Sequence, residues 1–161
     1  MELYLMRHGI AEEPRAGQPD AGRRLTLEGR EKAAAVVRLA QQGGMDPGLV
    51  LTSPYLRALQ TAEVAAEVLE HRGETVVVPS LVPHGSPEEV WEEIRLFPEA
   101  GSILLTSHEP LLGALMGFLL NSPALRVEVR KASIMRIDVL GLRGVPRGEL
   151  QWLITPRISL A

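Results

Sequence analysis

Four side chains in this sequence have types that combine into chemistry: Arg7, His8, Arg57 and His108. A guanidinium forks onto a phosphate or a carboxylate, and a neutral imidazole beside it can attack or bind. Two arginines and two histidines facing one point would repel each other unless an anion sat between them, and a phosphoryl group matches the guanidinium fork best. The question is whether the chain can bring them together.

The elements predicted around them do so. Leu3 to Met6 is a short apolar run, suited to a buried strand of a parallel sheet, and it ends in Arg7-His8-Gly9. Gly9 permits a sharp turn and a close approach of ligand to backbone. A polar loop over residues 10–24 leads to a helix with Thr26 at its N-cap, Glu28 in its first turn, an apolar stripe of Ala33, Val36, Val37 and Ala40, and a stop at Gly43-Gly44. Leu49 to Leu51 is a second strand. It runs into Thr52-Ser53-Pro54, with Ser53 as cap and Pro54 in the first turn of a helix reaching about Arg72.

Thr75 to Val78 is a third strand. Ser86 and Glu89 have capping-box spacing for a helix through Val90, Ile94 and Phe97, ended by Pro98. Ser102 to Thr106 is a fourth strand, entering Ser107-His108-Glu109-Pro110 and a helix over Leu111 to Leu120. Ile134 to Val139 and Leu150 to Ile154 then form an edge hairpin. Alternating strands and helices predict an α/β three-layer sandwich: a mostly parallel central sheet, helices on both faces and an antiparallel edge strand. It forms one domain over residues 1–161. Ligands in such sheets sit beyond the carboxyl ends of the strands, where Arg7-His8, Ser53 with Arg57, and His108 all fall.

Composition narrows the chemistry. The 161 residues are 45% hydrophobic and 23% charged, with a net charge of −3 and no cysteine. A thiolate nucleophile is therefore excluded, as are zinc sites built on thiolates. The charge argues against nucleic acid, and no apolar run is long enough to cross a membrane. The chain is expected in the cytoplasm. There is no phosphate-binding G-x-x-x-x-G-K loop, no paired aspartates and no metal-ligand spacing, so no cofactor is expected. A metal-free mechanism with a histidine nucleophile remains. His71 reads as structural, and His84 as an open rim residue.

The motifs Leu5-Met6-Arg7-His8-Gly9, Leu25-Thr26 with Gly29, Ser53-Pro54 with Arg57 and Thr61, and Ser107-His108-Glu109-Pro110 span most of the chain. In order and spacing they resemble the histidine phosphatase (phosphoglycerate-mutase-like) superfamily. The small size, Arg24-Leu25-Thr26 soon after Asp20, and the second histidine motif are most similar to the short SixA-type phosphohistidine phosphatases. The resemblance implies that His8 is the nucleophile and is transiently phosphorylated. Arg7, Arg57 and His108 would surround the phosphoryl group, with Gly9, Ser53, Arg24 and the Glu109 N–H as further binding positions. The substrate would be a phosphohistidine-bearing partner protein; a small phosphorylated metabolite, or phosphate binding without catalysis, are the competing readings.

The resemblance departs in one respect. Larger members of the superfamily supply an acid for the leaving oxygen, and here only His84, Glu88 and Glu89 lie near the corresponding segment. An alkoxide needs such an acid far more than an imidazole does, because imidazole titrates near neutrality and takes its proton from solvent. A P–N bond therefore suits the site better than a P–O ester.

Overall fold

Leu3, Tyr4, Leu5 and Met6 are all fully buried, and the reason is that their strand lies inside the sheet with both faces covered. The computed structural model describes residues 1–159. The two last residues of the expected domain, Leu160 and Ala161, lie outside them. Strands β1 (Glu2–Arg7), β2 (Leu49–Thr52), β3 (Thr75–Val77) and β4 (Ser102–Ser107) run parallel. Strands β5 (Ile134–Val139) and β6 (Gly148–Ile154) form the expected hairpin, with β5 antiparallel to β1. The order across the sheet is β3-β2-β4-β1-β5-β6.

Alternation along β1 divides the core in two. Leu3 and Leu5 pack on one face with helices α3 (Pro87–Arg95) and α4 (Leu111–Leu119), through Trp91, Ile94, Leu112 and Leu115. Tyr4 and Met6 pack on the other with α1 (Leu27–Gln42) and α2 (Leu56–Leu69), through Val36, Val37, Ala62 and Ala65. A short helix, α5 (Pro156–Ser159), follows the hairpin. The layers are those expected from the sequence.

Several boundaries differ. Thr26 caps α1 as predicted, its hydroxyl accepting from the Gly29 N–H at 2.9 Å. The N-cap of α2 is Tyr55, not Ser53, because Ser53, directly after β2, is still tied to the sheet: its N–H donates to the Thr106 carbonyl of the neighbouring strand. The same helix stops at Leu69, short of Arg72, where Glu70 adopts a left-handed conformation at φ 52°. Ser86 caps α3, but it donates its hydroxyl proton to Glu88 rather than pairing with the Glu89 side chain. That helix closes at Arg95, and Phe97 and Pro98 enter a separate turn.

Candidate active site

Sheet order explains how distant segments meet. Strands β2, β4 and β1 are consecutive, with Thr52 beside Thr106 and Arg7 beside Ser107. The residues that follow, Ser53, His108 and His8, therefore emerge side by side at the carboxyl edge. The His8 N–H donates to the Ser107 carbonyl at 3.0 Å, and the two imidazole centroids lie 5.0 Å apart. Arg57, in the first turn of α2, reaches the same point. A cavity of about 410 Å³ opens over these groups, lined by Arg7, His8, Arg57 and His108.

His8 is held in one tautomer. Its Nδ1 lies 2.7 Å from the Gly9 carbonyl, and a carbonyl can only accept, so Nδ1 carries the hydrogen. The lone pair is then on Nε2, which accepts from Arg57 Nε at 3.2 Å. Burial pushes the His8 pKa down to about 3, against the help of the Gly9 carbonyl, and Arg57, Arg7 and Lys131 push in the same direction as burial. At neutral pH the ring is an uncharged base.

His108 is also lowered to about 3, first by burial and then by His8 and Arg57. Its Nε2 sits 2.7 Å from Ser53 Oγ, and the Tyr55 ring meets its edge at 5.0 Å. Its buried Nδ1 has no hydrogen-bond partner among the described residues. Arg7 donates through Nη1 to the Val129 carbonyl at 2.7 Å, while its buried Nε is likewise without a partner there. Two buried polar atoms on residues that line one cavity are thus left without a partner, and buried polar groups are ordinarily paired.

Arg57 is 4% exposed and donates from all three nitrogens. Besides His8, it reaches the Asp20 carbonyl through Nη1 at 2.8 Å and the Asp20 carboxylate through Nη2 at 3.0 Å. Its guanidinium also lies 4.9 Å from the Tyr55 ring centroid. Partial burial pushes the Asp20 carboxyl up, but hydrogen bonds from Arg23 and Arg57 outweigh this and hold it below its ordinary value.

Other sequence-predicted positions sort themselves by placement. Gly9 is required by the backbone: its N–H donates to Thr61 Oγ1 at 3.1 Å, and a Cβ there would stand 2.7 Å from the Gly29 carbonyl oxygen. Ser53 positions His108. Glu109 lines the cavity, with its carboxylate accepting from the Gly113 N–H at 2.9 Å. Arg24 is exposed and off the cavity wall, contrary to expectation. Leu25 is buried beside Ala11, so side chains alternating about it send Arg24 outward and Arg23 to the inner side, where Arg23 lines the cavity. His84 is an exposed rim residue. Glu88 sits at the start of α3 with Ser86, and Glu89 faces a separate groove.

The sequence reading missed Asp20, Arg23, Tyr55 and Lys131 as cavity residues. Three lie in polar loop segments with no periodicity to place them. Tyr55, next to Ser53-Pro54, could have been found from its position at the helix start. No group of three or more His, Cys, Asp or Glu among the described residues could hold a metal ion.

A mostly parallel sheet that sets two uncharged histidines and two arginines around one cavity defines a class: α/β proteins with a pocket of histidines and arginines at the carboxyl edge of the sheet. The sequence model of the histidine phosphatase superfamily (branch 1) matches residues 3–81. Over 118 residues, 72% of either chain, the sequence is 32% identical to phosphohistidine phosphatase SixA of Escherichia coli strain K12. It is 40% identical over 121 residues to an uncharacterized protein of Picosynechococcus sp., covering 70% of this chain and 69% of that one. The solved structure of the protein histidine phosphatase SixA complexed with tungstate superposes with a TM-score of 0.86 at 28% identity, covering 98% of this chain and 99% of that one. The chain belongs to the histidine phosphatase superfamily of hydrolases, and within it is most like the SixA type.

Proposed function

We propose that the protein is a metal-independent, cytoplasmic phosphatase that removes the phosphoryl group from phosphohistidine on a partner protein. His8 is phosphorylated between the two halves of the reaction. The observation that carries this reading is the His8 Nε2 lone pair, fixed by the Gly9 carbonyl behind it and met by Arg57 Nε in front. The likeness to SixA relatives, one of them solved with the oxyanion tungstate, supports the choice of substrate class.

Nε2 attacks phosphorus, the P–N bond of the substrate breaks, and its electron pair returns to the substrate imidazole. The other ring nitrogen of that phosphohistidine takes a proton from solvent beforehand, which its near-neutral titration allows, so the imidazole leaves uncharged. Arg57 and Arg7 donate to the phosphoryl oxygens as charge develops on them. The dianion also favours a proton on His108, which would turn both of its nitrogens into donors. Water then cleaves phospho-His8 and phosphate leaves.

One observation favours a second reading, a phosphatase of small phosphate monoesters. Glu109 is on the cavity wall, and burial raises its carboxyl, against the Gly113 N–H and Arg7, so that it holds a proton more readily than usual. A protonated carboxyl can serve an alkoxide leaving group.

The test is phosphate release from a phosphohistidine-bearing protein beside a panel of monoesters, with EDTA throughout. Fast release from phosphohistidine, slow release from monoesters and no effect of Glu109→Gln on the former are expected. Efficient turnover of one monoester that is lost in Glu109→Gln would establish the second reading instead.

A further inference from the structure

Asp20 has no place in the steps above, yet its carboxylate lies in the cavity on the same guanidinium that touches the nucleophile. It enters there by construction. The short turn Asp20–Gly22 is pinned by Arg57 Nη1 to the Asp20 backbone carbonyl, independently of the side chain, and Arg23 binds the carboxylate at 2.7 Å from a third direction. The other carboxylate on the wall, Glu109, is bonded instead to the first turn of its own helix. A phosphoryl group bonded to His8 Nε2 must displace Arg57 Nε from that atom, and its oxygens then lie one guanidinium away from Asp20 Oδ2. An anion kept beside an anionic phosphoryl group opposes binding of that group and so calls for a compensating role. Half-exposed to solvent, its side chain also meets water.

We infer that Asp20 is the proton acceptor of the second half-reaction, taking a proton from the water that cleaves phospho-His8. This rests on the phosphatase reading with a phosphorylated His8. The step balances as follows. The water oxygen bonds to phosphorus as one of its hydrogens passes to the Asp20 carboxylate. The P–Nε2 bond breaks and its pair returns to Nε2, leaving His8 neutral with its hydrogen still on Nδ1. The proton on Asp20 then leaves with phosphate or to solvent. Arg57 and Arg23 hold the carboxylate in its ionised form, which is the form a proton acceptor must start from. The first half-reaction does not need Asp20, because the leaving imidazole is protonated by solvent.

Asp20→Asn tests this, since an amide oxygen can still accept from Arg57 but cannot take the proton. Phosphoramidate, a small donor with a P–N bond, is mixed with enzyme, and phospho-His8 is followed by rapid quench. In Asp20→Asn the phosphoenzyme should form at the wild-type rate and decay at least about tenfold more slowly, so that it accumulates. In Asp20→Ala, added formate should restore decay, a rescue that a purely structural role for Asp20 would not give. Decay at the wild-type rate in Asp20→Asn, slowed formation with normal decay, or no rescue by formate would overturn the inference. Should wild-type protein itself never become phosphorylated, the functional reading fails first, and the inference with it.

Discussion

Arg57 Nε donates to His8 Nε2 at 3.2 Å, so the cation that would stabilise a phosphoryl group already sits at the atom to which that group would be bonded. The contact is available only because His8 is uncharged; a protonated Nε2 would turn its own hydrogen against the guanidinium. Tautomer, burial and arginine placement are therefore one arrangement, set by the Gly9 carbonyl on the far side of the ring.

Arg57→Ala should lower turnover by about 10²–10³-fold, the usual loss for one preorganised donor to a developing oxyanion. The fold should survive, since the Asp20 carboxylate left behind is half-exposed and can be solvated. Arg57→Lys restores charge without the planar fork and should recover only part of the rate. Steady-state kinetics beside a thermal melt separates the effects. Unfolding of Arg57→Ala would make the residue structural instead.

Ser53→Ala should cost about 1–3 kcal/mol of stability and reduce turnover about tenfold, because it leaves unpaired the buried His108 Nε2 that Ser53 Oγ holds at 2.7 Å. Its diagnostic is weaker inhibition by tungstate or vanadate, read as a rise in Ki. Unaltered inhibition would show that the His108 ring is fixed by Tyr55 and the backbone alone.

Acid should destabilise the protein earlier than ordinary carboxylates require. His8 and His108 titrate near 3 when folded and near 6.5 when unfolded. Between those values the unfolded chain binds more protons, so stability is intact above about pH 6.5 and falls as the pH drops toward 3. The urea midpoint should decline steadily from pH 7 to pH 4, and more shallowly in His108→Gln. In the same window, activity of the free enzyme should show no inflection near pH 6.5 from His8.

Gly29→Ala should destabilise by about 1–3 kcal/mol or more, because a Cβ there would stand 2.1 Å from the Ile10 carbonyl oxygen, a backbone atom with little room to yield. The same crowding pushes on the loop that carries Asp20, so turnover should fall with stability. A melting temperature equal to that of the wild type would refute the tight packing of α1 on the chain after β1.

The difference between what could be read in the sequence and what could not is physical. Leu3 to Met6 and Ile103 to Leu105 are unbroken apolar runs, and such runs declare central strands of a covered parallel sheet. Placing Arg7-His8 and His108 at the ends of two such strands was enough to bring them together. Ser53 was harder, because its residue type serves equally as a cap and as a partner for an imidazole; the structure gives it to His108 and gives the cap to Tyr55. Asp20 and Arg23 carry no signal of periodicity. They reach the cavity through a backbone carbonyl gripped by Arg57, a contact that exists only once the loop has folded over α2. Exchanging Arg24 for Arg23 came from the same loop, where burial of Leu25 decides which neighbour turns inward.

The central claim is that His8 Nε2 accepts the phosphoryl group from phosphohistidine. Its most direct test is to mix the enzyme with a phosphohistidine-bearing protein, quench within milliseconds, and locate the transferred phosphoryl group by peptide mass spectrometry under alkaline conditions. The account predicts transient label on the peptide carrying His8, none on that carrying His108, and no transfer in His8→Ala. Phosphate release at the normal rate with no label on His8, or in the His8→Ala variant, would contradict it.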